Sequence, residues 1–188
     1  MRIAPAFHLL LALGALAGLT ACGGGATGPG GDEAHGSTVG LIANNFSVLD
    51  CTDQQLELHS LAGKHRAVLV VMAKDEACEA CRAFSAGYLA EIAATQPDIR
   101  VIEVLGATAQ APQSGSACAT WSELVGAHHQ VVRDTEGTRS AHAALDLAPL
   151  QTLVTDRDLR IAYRGESSNT RGVDDVLDRL KETDGTRR

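Results

Sequence analysis

Seven consecutive apolar residues, Ala67 to Ala73, leave this chain little choice of fold. A run of that length rich in Val and Leu, with no polar alternation, reads as a strand buried on both faces, and such a strand belongs in the middle of a sheet. The residues after it narrow the choice further. Cys78-Glu79-Ala80-Cys81 opens a stretch from about Glu79 to Thr95 that suits a helix. Pro97 then breaks the helix, and Ile99 to Leu105 forms a second strongly apolar run. Strand, helix, strand implies a parallel pair joined by a right-handed crossover.

The remaining elements rest on shorter signals. Leu41 to Leu49 and Gln55 to Leu58, separated by the polar stretch Asp50 to Gln54, predict an N-terminal hairpin. After a polar loop from Thr108 to Gly115, a short helix over Ala117 to Val125 carries Cys118 and Trp121. Gln130 to Arg133 is a short strand and Thr138 to Leu145 a helix. Two strands, Thr152 to Thr155 and Leu159 to Tyr163, turn about Asp156-Arg157-Asp158, and an amphipathic helix over Val173 to Lys181 closes the domain. The pattern is α/β: a three-layer sandwich with a central mixed sheet and helices on both faces.

The first residues have another purpose. Arg2 and the Leu- and Ala-rich stretch Leu9 to Leu19, too short for a permanent membrane span, predict an export signal over residues 1–21. It ends in Leu19-Thr20-Ala21-Cys22, which resembles the lipobox of bacterial lipoproteins, whose cysteine is diacylated and becomes the first residue of the mature chain. Residues 22–40, with eight glycines from Gly23 onward, read as a tether, residues 41–182 as the folded domain and residues 183–188 as a disordered tail. By the sorting habit of the lipoproteins it resembles, Gly rather than Asp after the acylated cysteine implies the outer membrane, with the domain in the periplasm. Removing the signal deletes Arg2 alone from the charge count and takes the net charge from −7 to −8. A mildly acidic chain with 3% aromatic residues lacks the cationic footprint and stacking surfaces of a nucleic-acid binder.

Two cysteines three residues apart at the start of a helix face the same way, so their sulfurs can close a disulfide. The unpaired N–H groups and the dipole of the helix N-terminus favour a thiolate there, which is the attacking species in disulfide exchange. Asp75, Glu76 and Glu79 surround that sulfur with negative charge, opposed only by Lys74 and Arg82. A less stabilised thiolate makes the dithiol a better reductant.

Residues 41–182 resemble the thioredoxin fold, in particular its exported redoxin branch, which holds TlpA-like disulfide oxidoreductases and the alkyl hydroperoxide reductase group. The resemblance is carried by Asn45-Phe46-Ser47-Val48-Leu49-Asp50, Leu61-Ala62-Gly63-Lys64, Cys78-Glu79-Ala80-Cys81 and Leu153 to Ile161. It implies that Cys78 attacks and Cys81 resolves, without a cofactor. It also implies protein disulfides as substrates and an envelope thiol donor as the source of electrons; nothing in the sequence demands more than a monomer on its tether. Ala77 and Ala80 stand where the family commonly has Trp and Pro. Pro149 is the candidate for the family's cis-proline, and Val71 or Met72 occupies the place of the buried acid that helps deprotonate the resolving cysteine in thioredoxin.

Several readings stay open at the level of sequence. Cys78 and Cys81 also suit an inert disulfide or half of a zinc site, and Cys51 with Cys118 suits either a structural disulfide or a further relay thiol. A peroxiredoxin would need Thr or Ser three residues before the attacking cysteine, where Asp75 stands. A non-catalytic or copper-handling lipoprotein of the same fold is the third class. His59, His65, His128, His129 and His142 are expected at the solvated surface and Trp121 in the core or a groove; Glu103, alone among apolar neighbours in its strand, suits the missing proton acceptor but is expected rather as a strand-edge carboxylate facing water.

Overall fold

The computed structural model describes residues 33–73, 78–106 and 114–185. The signal segment, Cys22 and most of the tether lie outside the described residues. So do Lys74, Asp75, Glu76 and Ala77, together with most of the polar loop that contains Pro112.

Strand β1 (His35–Gly36) pairs in parallel with β2 (Ile42–Ala43). The main sheet comprises β3 (Ser47–Asp50), β4 (Gln55–Glu57), β5 (Ala67–Ala73), β6 (Ile99–Leu105), β7 (Gln130–Arg133), β8 (Gln151–Asp156) and β9 (Ile161–Glu166). Their order is β4-β3-β7-β6-β5-β8-β9. Strands β5, β6 and β7 run parallel, whereas β3, β8 and β9 pair antiparallel, so the sheet is mixed. Every residue of β5 is buried, and β6 and β8 flank it.

The two faces of the sheet reflect the alternation of side chains along each strand. Val68, Val70, Met72, Ile102, Val104 and Leu153 point to one face. There they meet the short helix α4 (Ala141–Leu145) and a 3₁₀ turn at Leu58–Leu61. Ala67, Leu69, Val71, Ile99 and Val101 point to the other. On that side lie the helix after β5 and the long helix α5 (Thr170–Gly185). The helix after β5 consists of α1 (Glu79–Phe84), a π turn over Ser85–Leu89 and α2 (Ala90–Thr95). Farther along this face, α3 (Gly115–Leu124) supplies Cys118 and Trp121 to a third cluster with Ala73, Cys81, Leu105 and Val131.

The structure departs from the sequence expectation at several element boundaries and at one peptide bond. The segment from Glu33 to Gly40, expected to be tether, packs on the domain: the N–H of Gly40 donates to the Ile161 carbonyl, and Arg160 pairs with Glu33. Backbone pairing, to which glycine contributes as well as any residue, outweighs composition there. The helix expected over Thr138 to Leu145 begins only at Ala141, because Ser140 caps it by accepting from the N–H of Ala143. Helix α5 continues through Thr183 and Asp184 to Gly185, into the expected tail. No cis peptide occurs among the described residues, so Pro149 is trans. The chain reverses at Leu150 instead, with φ of 62°, and its N–H donates to the Met72 carbonyl while its own carbonyl accepts from Ser167.

Cys51, just past β3, is disulfide-bonded to Cys118 in α3 across 67 residues, with Cα atoms 5.1 Å apart. Gly115 permits the approach, since a Cβ there would stand 3.0 Å from the Cys51 carbonyl oxygen. In the chain-entropy account a loop of that length stabilises by roughly 4 kcal/mol. Replacing both cysteines with Ala is expected to lower unfolding free energy by about 2–4 kcal/mol in urea titrations of the oxidised protein.

Candidate functional site

The site begins where β5 ends. The chain leaves the buried strand and re-enters described structure at Cys78, which is the N-cap of α1 with extended backbone, φ −74° and ψ 92°. Its sulfur lies 3.1 Å from the N–H of Cys81 and accepts from it, the position that Ser or Asp oxygens take at other helix starts. A negative charge on that sulfur gains from the N–H and from the helix dipole together. Cys78 and Cys81 are joined in a disulfide, with Cα atoms 5.2 Å apart. Cys78 is half-buried and Cys81 buried, so a reagent meets the Cys78 sulfur first.

Beneath this pair lies a polar cluster that the sequence does not reveal. Glu103, in the middle of β6, is 1% exposed. Its Oε2 accepts hydrogen bonds from Ser85 Oγ at 2.7 Å, Trp121 Nε1 at 3.0 Å and His129 Nε2 at 2.9 Å. The expectation of a solvent-facing carboxylate is therefore wrong. Residue 103 falls in register with Val71 on one side and Val131 on the other, which places it inside the sheet and under the helices that cover this face.

The expectation that His129 is solvated fails for the same reason. Its side chain is fully buried against Glu103, while His128 is exposed. With Nε2 donating to the carboxylate, His129 Nδ1 is buried and takes no hydrogen bond among the described residues. Trp121 is wholly buried, and its indole N–H is spent on Glu103.

Ser85 connects this cluster to the cysteines. It is buried one helical turn after Cys81, and its backbone N–H reaches the Cys81 carbonyl. It also opens the π turn, and such turns are frequent where a helix must aim a side chain at a functional site. Where Val71 carries no acid, the neighbouring strand places a buried one at its register partner, Glu103. No local signal in the sequence marks this: a lone Glu in an apolar strand is visible, but its three donors come from positions 85, 121 and 129.

One pocket shares a residue with the cysteine turn, and a second lies at Met72 and Pro149. The first, of about 140 Å³, is lined by Ala80, Phe84, Leu150, Glu166, Ser167 and Ser168. The other, of about 160 Å³, includes Met72, Gly106, Asp134, His142 and Pro149 in its lining. In it the Asp134 carboxylate accepts from the backbone N–H groups of Thr135, Ala141 and His142, and burial pushes its pKa up despite them. Leu150, not Pro149, packs against the cluster that holds Cys81.

The other residues singled out in the sequence are spread through the fold. Cys51 and Cys118 form their own disulfide at the edge of the same apolar cluster. His59 is half-buried, with Nε2 2.8 Å from the Ala43 carbonyl oxygen, and His142 is exposed with Nδ1 2.6 Å from that of Leu147.

No protein-family model and no curated protein matches the sequence. Solved structures do match in shape. The C-terminal domain of a protein described as a thiol–disulfide oxidoreductase from Bacteroides thetaiotaomicron superposes with a TM-score of 0.63 at 14% identity, covering 78% of this chain and 98% of that one. Peroxidoxin BcpB from Mycobacterium tuberculosis gives 0.60 at 15% identity, with coverage of 77% and 96%. A peroxiredoxin-like protein from Aquifex aeolicus gives 0.56 at 17% identity, with coverage of 80% and 90%. The fold is thioredoxin-like.

The polar cluster generates a direct test. Glu103→Leu leaves three buried donors without an acceptor and is expected to cost at least about 3 kcal/mol. Glu103→Gln retains a carbonyl acceptor for some of them and should cost about half as much. Urea unfolding of the two variants beside the parent protein measures the difference.

Proposed function

We propose that this chain is a thiol–disulfide oxidoreductase of the cell envelope, anchored through a lipid on Cys22 and acting on protein disulfides in the reducing or isomerising direction. The observation that carries the reading is the Cys78–Cys81 disulfide across the first turn of α1, with the half-buried Cys78 sulfur on a helix N–H and its partner buried behind it. The thioredoxin-like fold supports the same reading, as does the acidic sequence around the cysteines.

In the reduced protein the Cys78 thiolate attacks one sulfur of a substrate disulfide. That bond breaks, a mixed disulfide forms, and the second substrate sulfur leaves as a thiolate that takes a proton from water. Cys81 then gives up its proton and attacks the Cys78 sulfur. The first substrate sulfur leaves as a thiolate that takes a proton from water, and Cys78 and Cys81 are left joined. Two electrons have passed to the substrate, and a dithiol donor in the envelope restores the pair.

Cys81 is buried, so the proton it gives up needs an acceptor within the fold. Glu103 and the open Nδ1 of His129 lie on the same buried side as Cys81 and are joined to its helix through Ser85. In this mechanism they receive the proton, which is where the buried polar cluster acquires a use.

Replacing Cys81 with Ala removes the resolving thiol, so reduced protein should accumulate mixed disulfides with envelope proteins, and Cys78→Ala should accumulate none. Non-reducing gels and mass spectrometry of purified full chain read both results. Absence of trapped proteins, together with failure of the parent protein to reduce insulin, would overturn the oxidoreductase reading. Peroxide consumption in the same preparation would replace it with a peroxidase. Cys22→Ala is expected to move the chain out of the membrane fraction, as immunoblots of fractionated cells would record.

A further inference from the structure

The pocket beside the cysteines has a chemistry of its own. It shares Ala80 with the Cys78–Cys81 turn, and its apolar walls are Phe84 of α1 and Leu150. At about 140 Å³ it approaches the size of an apolar cavity of about 150 Å³ that takes up benzene, so it has room for one Leu- or Phe-sized side chain. Among the described residues its lining carries one formal charge, Glu166, which is exposed and makes no ion pair with any of them. Glu79, next to Ala80, is also exposed and unpaired among the described residues. Arg82, the basic residue nearest in sequence, is not part of the lining.

The backbone at this rim is already used. Leu150 donates its N–H to the Met72 carbonyl and accepts from the Ser167 N–H, while Ser167 Oγ lies 2.9 Å from Thr152 Oγ1. Leu150 therefore offers a side chain and no strand edge. A substrate chain cannot extend the sheet there and must be recognised by what it inserts.

We propose that this pocket selects substrate disulfides whose cysteine is next to a large apolar residue and flanked by Lys or Arg. The apolar side chain fills the space between Phe84 and Leu150, and the cation pairs with Glu166. The inference rests on the oxidoreductase reading and adds the class of protein segment on which it acts.

The test uses purified full chain, reduced beforehand, and peptides each joined through its single cysteine to a quencher thiol. Attack by the Cys78 thiolate breaks the peptide–quencher disulfide, forms the mixed disulfide with the peptide and releases the quencher as a thiolate, which fluorescence reports. Each rate is divided by that for uncharged dipyridyl disulfide on the same preparation, which reads the reactivity of Cys78 itself. Leu or Phe beside the cysteine is expected to react about tenfold faster than Ala, from the apolar area buried. Flanking Lys should give a further gain of about three- to fivefold over flanking Glu, shrinking in high salt.

Glu166→Lys should reverse the charge preference, and Ser168→Phe, which fills the pocket from its rim, should abolish the preference for Leu. Normalised rates indifferent to the neighbouring residue, or a charge preference unchanged in Glu166→Lys, would overturn the proposal. Failure of the oxidoreductase reading looks different, as loss of reaction with every peptide disulfide while dipyridyl disulfide still modifies Cys78.

Discussion

Strand β5 has water on neither face and a hydrogen-bonded neighbour on each side, and the rest of the domain is arranged around that constraint. A strand so enclosed must be covered above and below by other elements and must discharge the chain at an end of the sheet. The crossover helix starts there, and its first turn is the place where backbone N–H groups are unpaired. The Cys78 sulfur occupies one of them. Cys78 thus follows the most buried strand after only four residues of chain, 74–77.

The buried carboxylate of Glu103 shows the opposite arrangement, with its contributions drawn from far apart. A carboxylate with 1% exposure is tolerated only when its lost hydration is replaced, and here a hydroxyl, an indole and an imidazole converge on one oxygen. Those donors belong to the crossover helix, α3 and the turn into β7. Each of these elements reaches the position through its own packing, and the Cys51–Cys118 disulfide ties α3 to the end of β3. The second disulfide therefore supports the acid as well as the fold, because Trp121 lies one turn beyond Cys118 on α3.

Much of the architecture was legible in the chain. The limits expected for β5, β6 and β7 coincide with those in the structure; for β5 the reason is that a strand buried on both faces leaves an unbroken apolar signal. The edges were less legible. Glu33 to Gly40 looked like tether because glycine and polar residues carry no periodicity, yet the segment is held by backbone bonds, which composition does not encode. Pro149 sits near the place where a cis-proline is expected in a thioredoxin-like chain, but the left-handed residue that shapes the turn is Leu150, and nothing in its identity announces a positive φ.

The sequence by itself determined the strand–cysteine–helix unit, since local periodicity and a three-residue spacing suffice to place two sulfurs on one helical turn. It also determined the α/β class and the central place of β5. Tertiary structure alone decided which way Glu103 and His129 face, which residues line the pocket beside Ala80, and that Leu150 presents no strand edge. The physical reason is one of range. Periodicity reports whether a position is buried, but the partners that make burial of a charge or a cavity tolerable come from elements separated by tens of residues, and only the folded chain brings them together.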